Sequence, residues 1–580
     1  MGFCGGVLLV VLTVLLASSM RARPTAFSCK CLPSDDCWPD SSAWQALNAS
    51  IDGQLVASKP PAWPCHEPEY NALQCLEVTQ KWSDAFWRAA QPGAMQDSFF
   101  EMDGNEGCLL SGNKKSSCYQ GRVSVFAVNV SSASHVQRAV EFAATYNLRV
   151  TVKNTGHDYF GRSNAAGSLS IWTHHLKDIS FVEEFVPEGC NSSAARSGVT
   201  IGAGVVWEEL YRAADAHGKV IAGAQCSSVG AAGGYPQAAG HSPLSPKYGL
   251  SADNVLQYKV VTADGKLVVA NACQNKDLFW ALRGGGGGTF GVVVSVTHAT
   301  HPALESLQFA SYVVGANTSE SFELVVTEFV KSNPGLSQDG WGGFFLIAKR
   351  ALIVQYLLPD KNSSFAQSSF DPFLSEARGI AGVSVNGAMQ SFSSYLKWHE
   401  AVQCSKSGCS FATGSSELLV SRLIPSSTFS DDPEELAQTL VGIWDEGYDR
   451  VMGYLTAGGE VSVARDNAVN PAWREALWHI IVVKLFPANE TQAAKKSLAR
   501  AITKTGGRLR RVAPSSGCYL NEADVNEPDW QQAFFGDKYD KLKLIKEAVD
   551  PQGLFVCKKC VGSEDWSEDL TCRSKKKCRT

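Results

Sequence analysis

Apolar residues return at helical spacing in SASHVQRAVEFAATYN, where Val136, Ala139, Val140 and Ala143 share one face and Ser131 or Ser132 can cap the first turn. The period then changes. In LRVTVKN, Val150 and Val152 alternate with Arg149, Thr151 and Lys153, which predicts a half-buried strand. His157 follows directly after Gly156, on a strand-to-loop transition where glycine permits a bend closed to other residues. Next, GVTIGAGVVWEELYRAADAHG predicts a strand, a glycine turn and a helix with Trp207, Leu210, Tyr211 and Ala214 on one face. VLQYKVVTADGKLVVA predicts a hairpin turning at Asp264-Gly265. KDLFWALR predicts a short helix, and RGGGGGTFGVVVSVTHAT predicts a glycine turn into another strand.

From about 303 to 510 the segments become longer and mixed, which predicts a separate domain. Near the end, a helix with Tyr539, Leu542, Ile545 and Val549 on one side is expected to stop at Asp550-Pro551. At the start, an apolar run from Val7 to Ala17 is too short to span a bilayer and is followed by small residues, as in a secretory signal peptide. The expected organisation is a signal peptide (1–22), a Cys-rich segment (23–118), a first domain proper (119–302), a second domain (303–510) and a closing segment with a basic tail (511–580).

With 580 residues, 44% of them hydrophobic and 19% charged, the chain can bury more than one core. A net charge of -5 gives no surface for gripping nucleic acid, and RSKKKCRT reads as a solvated tail. Once the signal is removed, no remaining segment is long and apolar enough to hold the protein in a membrane. Asn48, Asn129, Asn191, Asn317, Asn362 and Asn489 each begin an Asn-x-Ser/Thr triplet, so N-glycans are expected. The chain has 18 cysteines, and setting aside Cys4 in the signal leaves 17, most of which should pair in an oxidising compartment. They crowd at Cys29, Cys31, Cys37, Cys65 and Cys75, at Cys404 and Cys409, and at Cys557, Cys560, Cys572 and Cys578. Zinc is the alternative for Cys557-x-x-Cys560, although a second ligand pair at matching spacing is missing. A secreted, extracellular protein is expected.

Gly286-x-Gly288-x-x-Gly291 satisfies a dinucleotide fingerprint in letters only. A dinucleotide loop needs a strand before it and a helix after it, and here the order is reversed. Consecutive glycines still expose backbone N–H groups and admit a phosphate or a flat cofactor edge.

KNTGHDYFGRS, GAQCSSVGAAGG, KYGLSADNVL, RGGGGGTFGVV and YLNEAD with DPQGLF and VGSEDW occur in that order. Together they resemble the secreted FAD-linked oxidases of the vanillyl-alcohol oxidase (PCMH-type) superfamily. The branch is berberine-bridge-enzyme-like, in the fungal form that includes isoamyl alcohol oxidases. The resemblance covers about 119–301 and about 517–566. It implies an α+β fold: a PCMH-type FAD-binding domain, a separate α+β substrate domain and a C-terminal segment that returns to the FAD domain. It also implies FAD bonded twice, through His157 at the 8α-methyl and through Cys226 at C6. Gly156, Asp158, Val229, Gly230, Gly286, Gly288, Gly291 and Asn521 complete the implied cofactor set. Removing Cys226 from 17 leaves an even 16 for disulfides.

The implied chemistry is hydride transfer from an alcohol or a secondary metabolite to FAD. Val229, three residues after the linking cysteine, implies oxygen as acceptor and hydrogen peroxide as product. A dehydrogenase or oxidative cyclase, and a non-catalytic binding glycoprotein on the same scaffold, are the alternatives. Where carbohydrate oxidases of the family have Tyr-x-Asn-Tyr, this chain has Tyr519-Leu520-Asn521-Glu522. The base is then Glu522, if burial raises its pKa, or Tyr519, or a residue of the middle domain. Ala238 and Ala239 stand where related sequences tend to have glycine, and His241 beside them is a candidate polar contact to flavin or substrate. His174 and His175 show no partner in the sequence, and no metal is expected.

Overall fold

The computed structural model describes residues 29–403 and 413–574. The signal peptide, the Cys404 and Cys409 cluster and most of the basic tail lie outside the described residues.

In the first sheet, Val150–Lys153 and Phe126–Asn129 flank Leu169–Trp172 in parallel, and Leu55–Ala57 pairs antiparallel at the far edge. The Ser132 hydroxyl caps the helix Ala133–Thr145 by accepting the His135 N–H, and the four expected apolar residues pack with Val128, Val150 and Ile171. The alternation expected at 149–153 fails, because Thr151 and Lys153 are buried while Val152 is only half-buried. The three parallel strands are covered on both faces, so period 2 no longer separates inside from outside. Lys153 is fully enclosed, donates to the Gln91 carbonyl at 2.6 Å, and has its pKa lowered by burial to about 7.

The second sheet is antiparallel, in the order Ile179–Phe185, Arg196–Gly202, Val292–Ala299, Val255–Val261 and Leu267–Asn271. Its last two strands are the hairpin expected at Asp264-Gly265. The helix Trp207–Ala216 buries the expected face of Trp207, Leu210, Tyr211 and Ala214. Helix Lys276–Ala281 precedes the glycine turn and strand Val292–Ala299 follows it, the order that rules out a dinucleotide loop.

Every strand of the third, seven-stranded antiparallel sheet lies between Leu307 and Leu485. Helices Ser319–Asp339, Ser363–Gly379, Pro433–Asp445 and Gln492–Val512 share a core with Trp478, Ile480 and Val482 of the strand Ala476–Leu485. By alternation, His479, Ile481 and Val483 face the other way. Ile481 and Val483 cluster there with Leu419, Met452, Tyr454 and Tyr159, the last from the loop after Val150–Lys153. On this inner face the third sheet meets the loop that follows Val150–Lys153.

Both ends return to the first two sheets. Cys29 is disulfide-bonded to Cys572, and the Lys546 ammonium pairs with Asp550 while donating to the Thr289 and Phe555 carbonyls. The helix Tyr539–Val549 ends at Asp550-Pro551 as expected. Further disulfides join Cys31–Cys37, Cys65–Cys75, Cys108–Cys118, Cys190–Cys273 and Cys557–Cys560. The last of these uses both sulfurs that the zinc alternative needed. The even division of cysteines also fails, since Cys518 as well as Cys226 lies outside these bonds. Cys518 is buried, donates to the Ser421 carbonyl at 3.1 Å, and has its pKa pushed up by burial to about 12.

Candidate active site

The loop 153–163 is shaped before it is functional. Gly156 turns at φ +83°, and a Cβ there would lie 3.0 Å from the Ala94 carbonyl oxygen. The turn leaves His157 half-buried. Asp158 accepts the Phe160 and Arg162 N–H groups at 2.9 and 2.7 Å and pairs with Arg162 Nε at 3.0 Å, so its carboxylate organises the loop. Arg162 donates to Asn521 Oδ1 at 3.2 Å, and Asn521 Nδ2 donates to the Gly234 carbonyl at 3.0 Å and the Tyr519 hydroxyl at 2.9 Å. One polar chain thus ties the His157 loop to the C-terminal segment.

The Cys226 loop packs against the same point. Val229 N–H donates to the Cys226 carbonyl and closes a turn. At Gly230 a Cβ would come 2.3 Å from Asn154 Nδ2, so a side chain there would have to displace the Asn154 amide from its bond to the Ala203 carbonyl. Ser228 Oγ lies 2.8 Å from His157 Nε2 and 3.5 Å from Cys226 Sγ. A single hydroxyl therefore sits between the imidazole and the thiol that the sequence singled out.

Opposite them, Glu522 Oε2 accepts from His241 Nε2 at 3.0 Å and from His479 Nε2 at 2.9 Å. Burial alone would raise this carboxyl, but the two imidazoles outweigh it and hold Glu522 well below the usual carboxylate range. The upward shift expected for Glu522 is reversed. His479 is fully enclosed, and burial lowers its pKa against the opposing pull of Glu522. Tyr519 is buried and its pKa is pushed far up, chiefly by burial and then by Glu522. Tyr159, likewise raised by burial, also feels Glu417, Glu522 and Cys226, so these groups surround one phenol.

Ala239 has φ +148°, a backbone that favours glycine, and the sharp turn through Ala239 and Gly240 leads directly to His241. His241 was expected to contact flavin or substrate; the partner the structure gives it is Glu522. The sequence reading missed His479, Tyr454 and Tyr159. His479 carried a signal, as the one strongly polar residue inside the run ALWHIIVV, and strand pairing sets it opposite Tyr454. His174 and His175 do have partners, the side-chain oxygens of Asn154 and Asn129.

His241, His479 and Glu522 have the donor set of a metal site, with ligand atoms within 4.8 Å of one another. However, His479 Nδ1 is buried without a hydrogen-bond partner among the described residues. A metal on Nε2 would place the ring proton on that atom, whereas donation from Nε2 leaves a lone pair there, the cheaper arrangement. The cluster is a hydrogen-bonded carboxylate between two imidazoles.

Around the glycine turn, the N–H groups of Gly284 and Gly286 donate to the Gln237 carbonyl. Gln237 Oε1, Thr289 Oγ1, Gln225 Nε2 and Ser227 Oγ are buried with no hydrogen-bond partner among the described residues. A Cβ at Gly233 or Gly234 would meet nothing within 4 Å, and one at Gly288 only Val152 at 4.0 Å. Orphaned donors and acceptors beside an open glycine cradle fit a large, flat, phosphate-bearing cofactor. Gly291 differs: a Cβ there would lie 2.7 Å from Val260 and Val261, so it serves strand packing.

A glycine cradle edged by orphaned polar groups, together with the buried His241–Glu522–His479 cluster, fits a flavin-dependent oxidoreductase of the VAO type. Residues 125–271 match the FAD binding domain family, and residues 518–561 match the berberine and berberine-like family. An uncharacterized FAD-linked oxidoreductase from Arthroderma benhamiae is 38% identical, over 97% of this chain and 99% of its own. The FAD-linked oxidoreductase patO from Aspergillus clavatus is 34% identical, over 97% and 98%. A VAO-type flavoprotein from Myceliophthora thermophila C1 has a TM-score of 0.88 at 29% identity, covering 94% of this chain and 100% of that one. The chain belongs to the FAD-linked oxidoreductases of this berberine-bridge-like superfamily.

Proposed function

We propose that the protein is a secreted oxidase of a small-molecule alcohol or secondary metabolite. Its FAD is attached through both His157 and Cys226, oxygen is the acceptor, and hydrogen peroxide is the product. The observation that carries this reading is the Ser228 hydroxyl lying within reach of both attachment residues. When bound, FAD supplies the hydride acceptor. His157 and Cys226 hold its ring edge, and Gly286, Gly288 and the orphaned polar groups beside them receive the rest.

Glu522 takes the hydroxyl proton as hydride leaves the neighbouring carbon: the imidazole donors that lower its pKa also weaken it as a base, so the proton moves once hydride departure has made the hydroxyl strongly acidic. Its Oε2 is fixed by both imidazoles while its side chain remains 28% exposed, so the carboxylate is both oriented and reachable. Tyr519 is the poorer base, since burial keeps its proton on and Asn521 holds its oxygen. The substrate loses two electrons and two protons, and oxygen receives both pairs as peroxide. Val229, small and half-buried beside Cys226, leaves room for oxygen. The inner face formed by Leu419, Met452, Tyr454, Ile481 and Val483 favours an apolar or aromatic alcohol over a sugar.

The disulfides support an oxidising compartment, and Asn191, Asn317, Asn362 and Asn489 stand exposed as glycan acceptors. No helix among the described residues is long and apolar enough to cross a membrane. The test is to reduce the purified protein without air and then admit oxygen. Rapid return of the yellow colour with stoichiometric peroxide is expected, whereas slow return overturns the oxidase in favour of a dehydrogenase.

A further inference from the structure

The strand register of the third sheet carries the site outward along its inner face. His479, which donates to Glu522, pairs with Tyr454 of the strand Arg450–Leu455. Tyr454 pairs in turn with Phe344 of Gly342–Ala348, and Phe344 with Gln355 of Ala351–Pro359. In the neighbouring row Ile481 pairs with Met452, Met452 with Leu346, Leu346 with Ile353, and Ile353 with Val313 of Leu307–Ala316. Residues paired across a sheet share one face, so both rows stand on the side of His479. The residues between them, Phe345, Ile347, Leu352 and Val354, turn to the helices on the other side.

Cover thins steadily along these rows. His479 and Ile481 are enclosed, Tyr454, Met452, Phe344, Leu346, Ile353 and Gln355 are half-buried, and Val313 is 42% exposed. At the inner end Met452 and Tyr454 still pack with Tyr159, whereas Phe344, Leu346, Ile353 and Val313 join none of the apolar clusters formed by the described residues. The aromatic run is continuous, since the Tyr454 ring lies 5.1 Å from that of His241 and 6.2 Å from that of Phe344. With neighbouring strands about 4.8 Å apart, Phe344 stands about 10 Å and Gln355 about 14 Å from His479. An apolar shelf left open and continuous with the Glu522 carboxylate has the form of a binding surface.

We propose that this shelf binds the body of the substrate, an elongated, flat, apolar alcohol of at least two rings with a hydrogen-bonding group at its far end. The inference rests on the alcohol-oxidase reading, because it sets the reacting carbinol at Glu522. From there the rings lie over Tyr454 and Phe344, flanked by Met452, Leu346 and Ile353, and the far polar group meets the Gln355 amide. An alcohol of a few carbons stops at Tyr454 and leaves the rest of the shelf in water. A second copy of the chain is the weaker occupant, because both rows deepen into the site instead of standing apart from it.

The binding probes are benzamide, biphenyl-4-carboxamide and its 4′-hydroxy derivative, which have no carbinol hydrogen to lose, titrated calorimetrically into the full-length holoprotein. The corresponding alcohols are then mixed with it without air, and flavin reduction is followed. Biphenyl-4-carboxamide should bind about tenfold more tightly than benzamide, with a rise in kcat/KM for the longer alcohol to match. The terminal hydroxyl should add about threefold. Phe344→Ala should cut the biphenyl-to-benzamide affinity ratio about fivefold, and Gln355→Leu should remove the gain from the hydroxyl. Equal affinities for the two amides in the wild type, or a ratio untouched by Phe344→Ala, would overturn the shelf. A holoprotein that sediments as a dimer, and as a monomer after Phe344→Asp, would assign the shelf to a second copy and overturn it too. Length-dependent binding of the amides with no flavin reduction by any of the alcohols would uphold the shelf and overturn the alcohol reading.

Discussion

Glu522 sets the pH behaviour of the site. Its folded pKa lies below the ordinary 4.5, so its ionisation contributes stability that is fully present above about pH 4.5 and fades as the pH falls towards the folded value. His479 acts in the same direction, because a folded pKa below 6.5 means that proton uptake under that pH favours the unfolded chain. The melting temperature of the holoprotein is therefore expected to fall as the pH is lowered from 7 to 4, and Glu522→Gln should flatten the lower part of that decline. As a base, Glu522 must be ionised, so kcat/KM should hold until the pH drops below the usual carboxylate range. His241→Phe removes one donor and should move that acid limb upward, and a limb that stays put would show that another group takes the proton. Glu522→Gln should lower kcat by about 10²–10⁴ with flavin content unchanged. His157, Cys226, Glu522 and Tyr519 were legible because each sits in a short motif. The direction of the Glu522 shift was not, since it depends on His479, which a different sheet delivers.

Elements were easiest to read where one face meets water. The helix Trp207–Ala216 and the hairpin at Asp264-Gly265 follow their periodicity, whereas Lys153 does not, because its strand lies in a sheet covered on both sides. The contact between the His157 and Cys226 loops was also hidden, since it rests on a missing side chain at Gly230 against Asn154. Gly230→Ala should displace the Asn154 amide, and with it the His157 loop's bond to the Ala203 carbonyl, at a cost of about 1–3 kcal/mol. The expected result is a folded protein with substoichiometric attachment at Cys226, read from the flavin absorbance spectrum and from the fraction of colour left on the polypeptide after acid denaturation.

Across the whole molecule, the chain closes on itself. Cys29–Cys572 ties the first described residues to the last, and Lys546 pins the returning segment to the glycine turn. Replacing Cys29 and Cys572 together by serine should lower stability by about 2–4 kcal/mol in denaturant unfolding, with little change in the absorbance of bound flavin. The return of both ends was legible only through the family resemblance, because pairings over such separations leave no local pattern. The inner face of the third sheet was illegible for the same reason, although its helix-covered face follows ordinary alternation. The most direct measurement is peptide mapping of the holoprotein by mass spectrometry. The account predicts one FAD joining the peptide that contains His157 to the peptide that contains Cys226. Recovery of both peptides unmodified, from protein carrying its full complement of FAD, would contradict it.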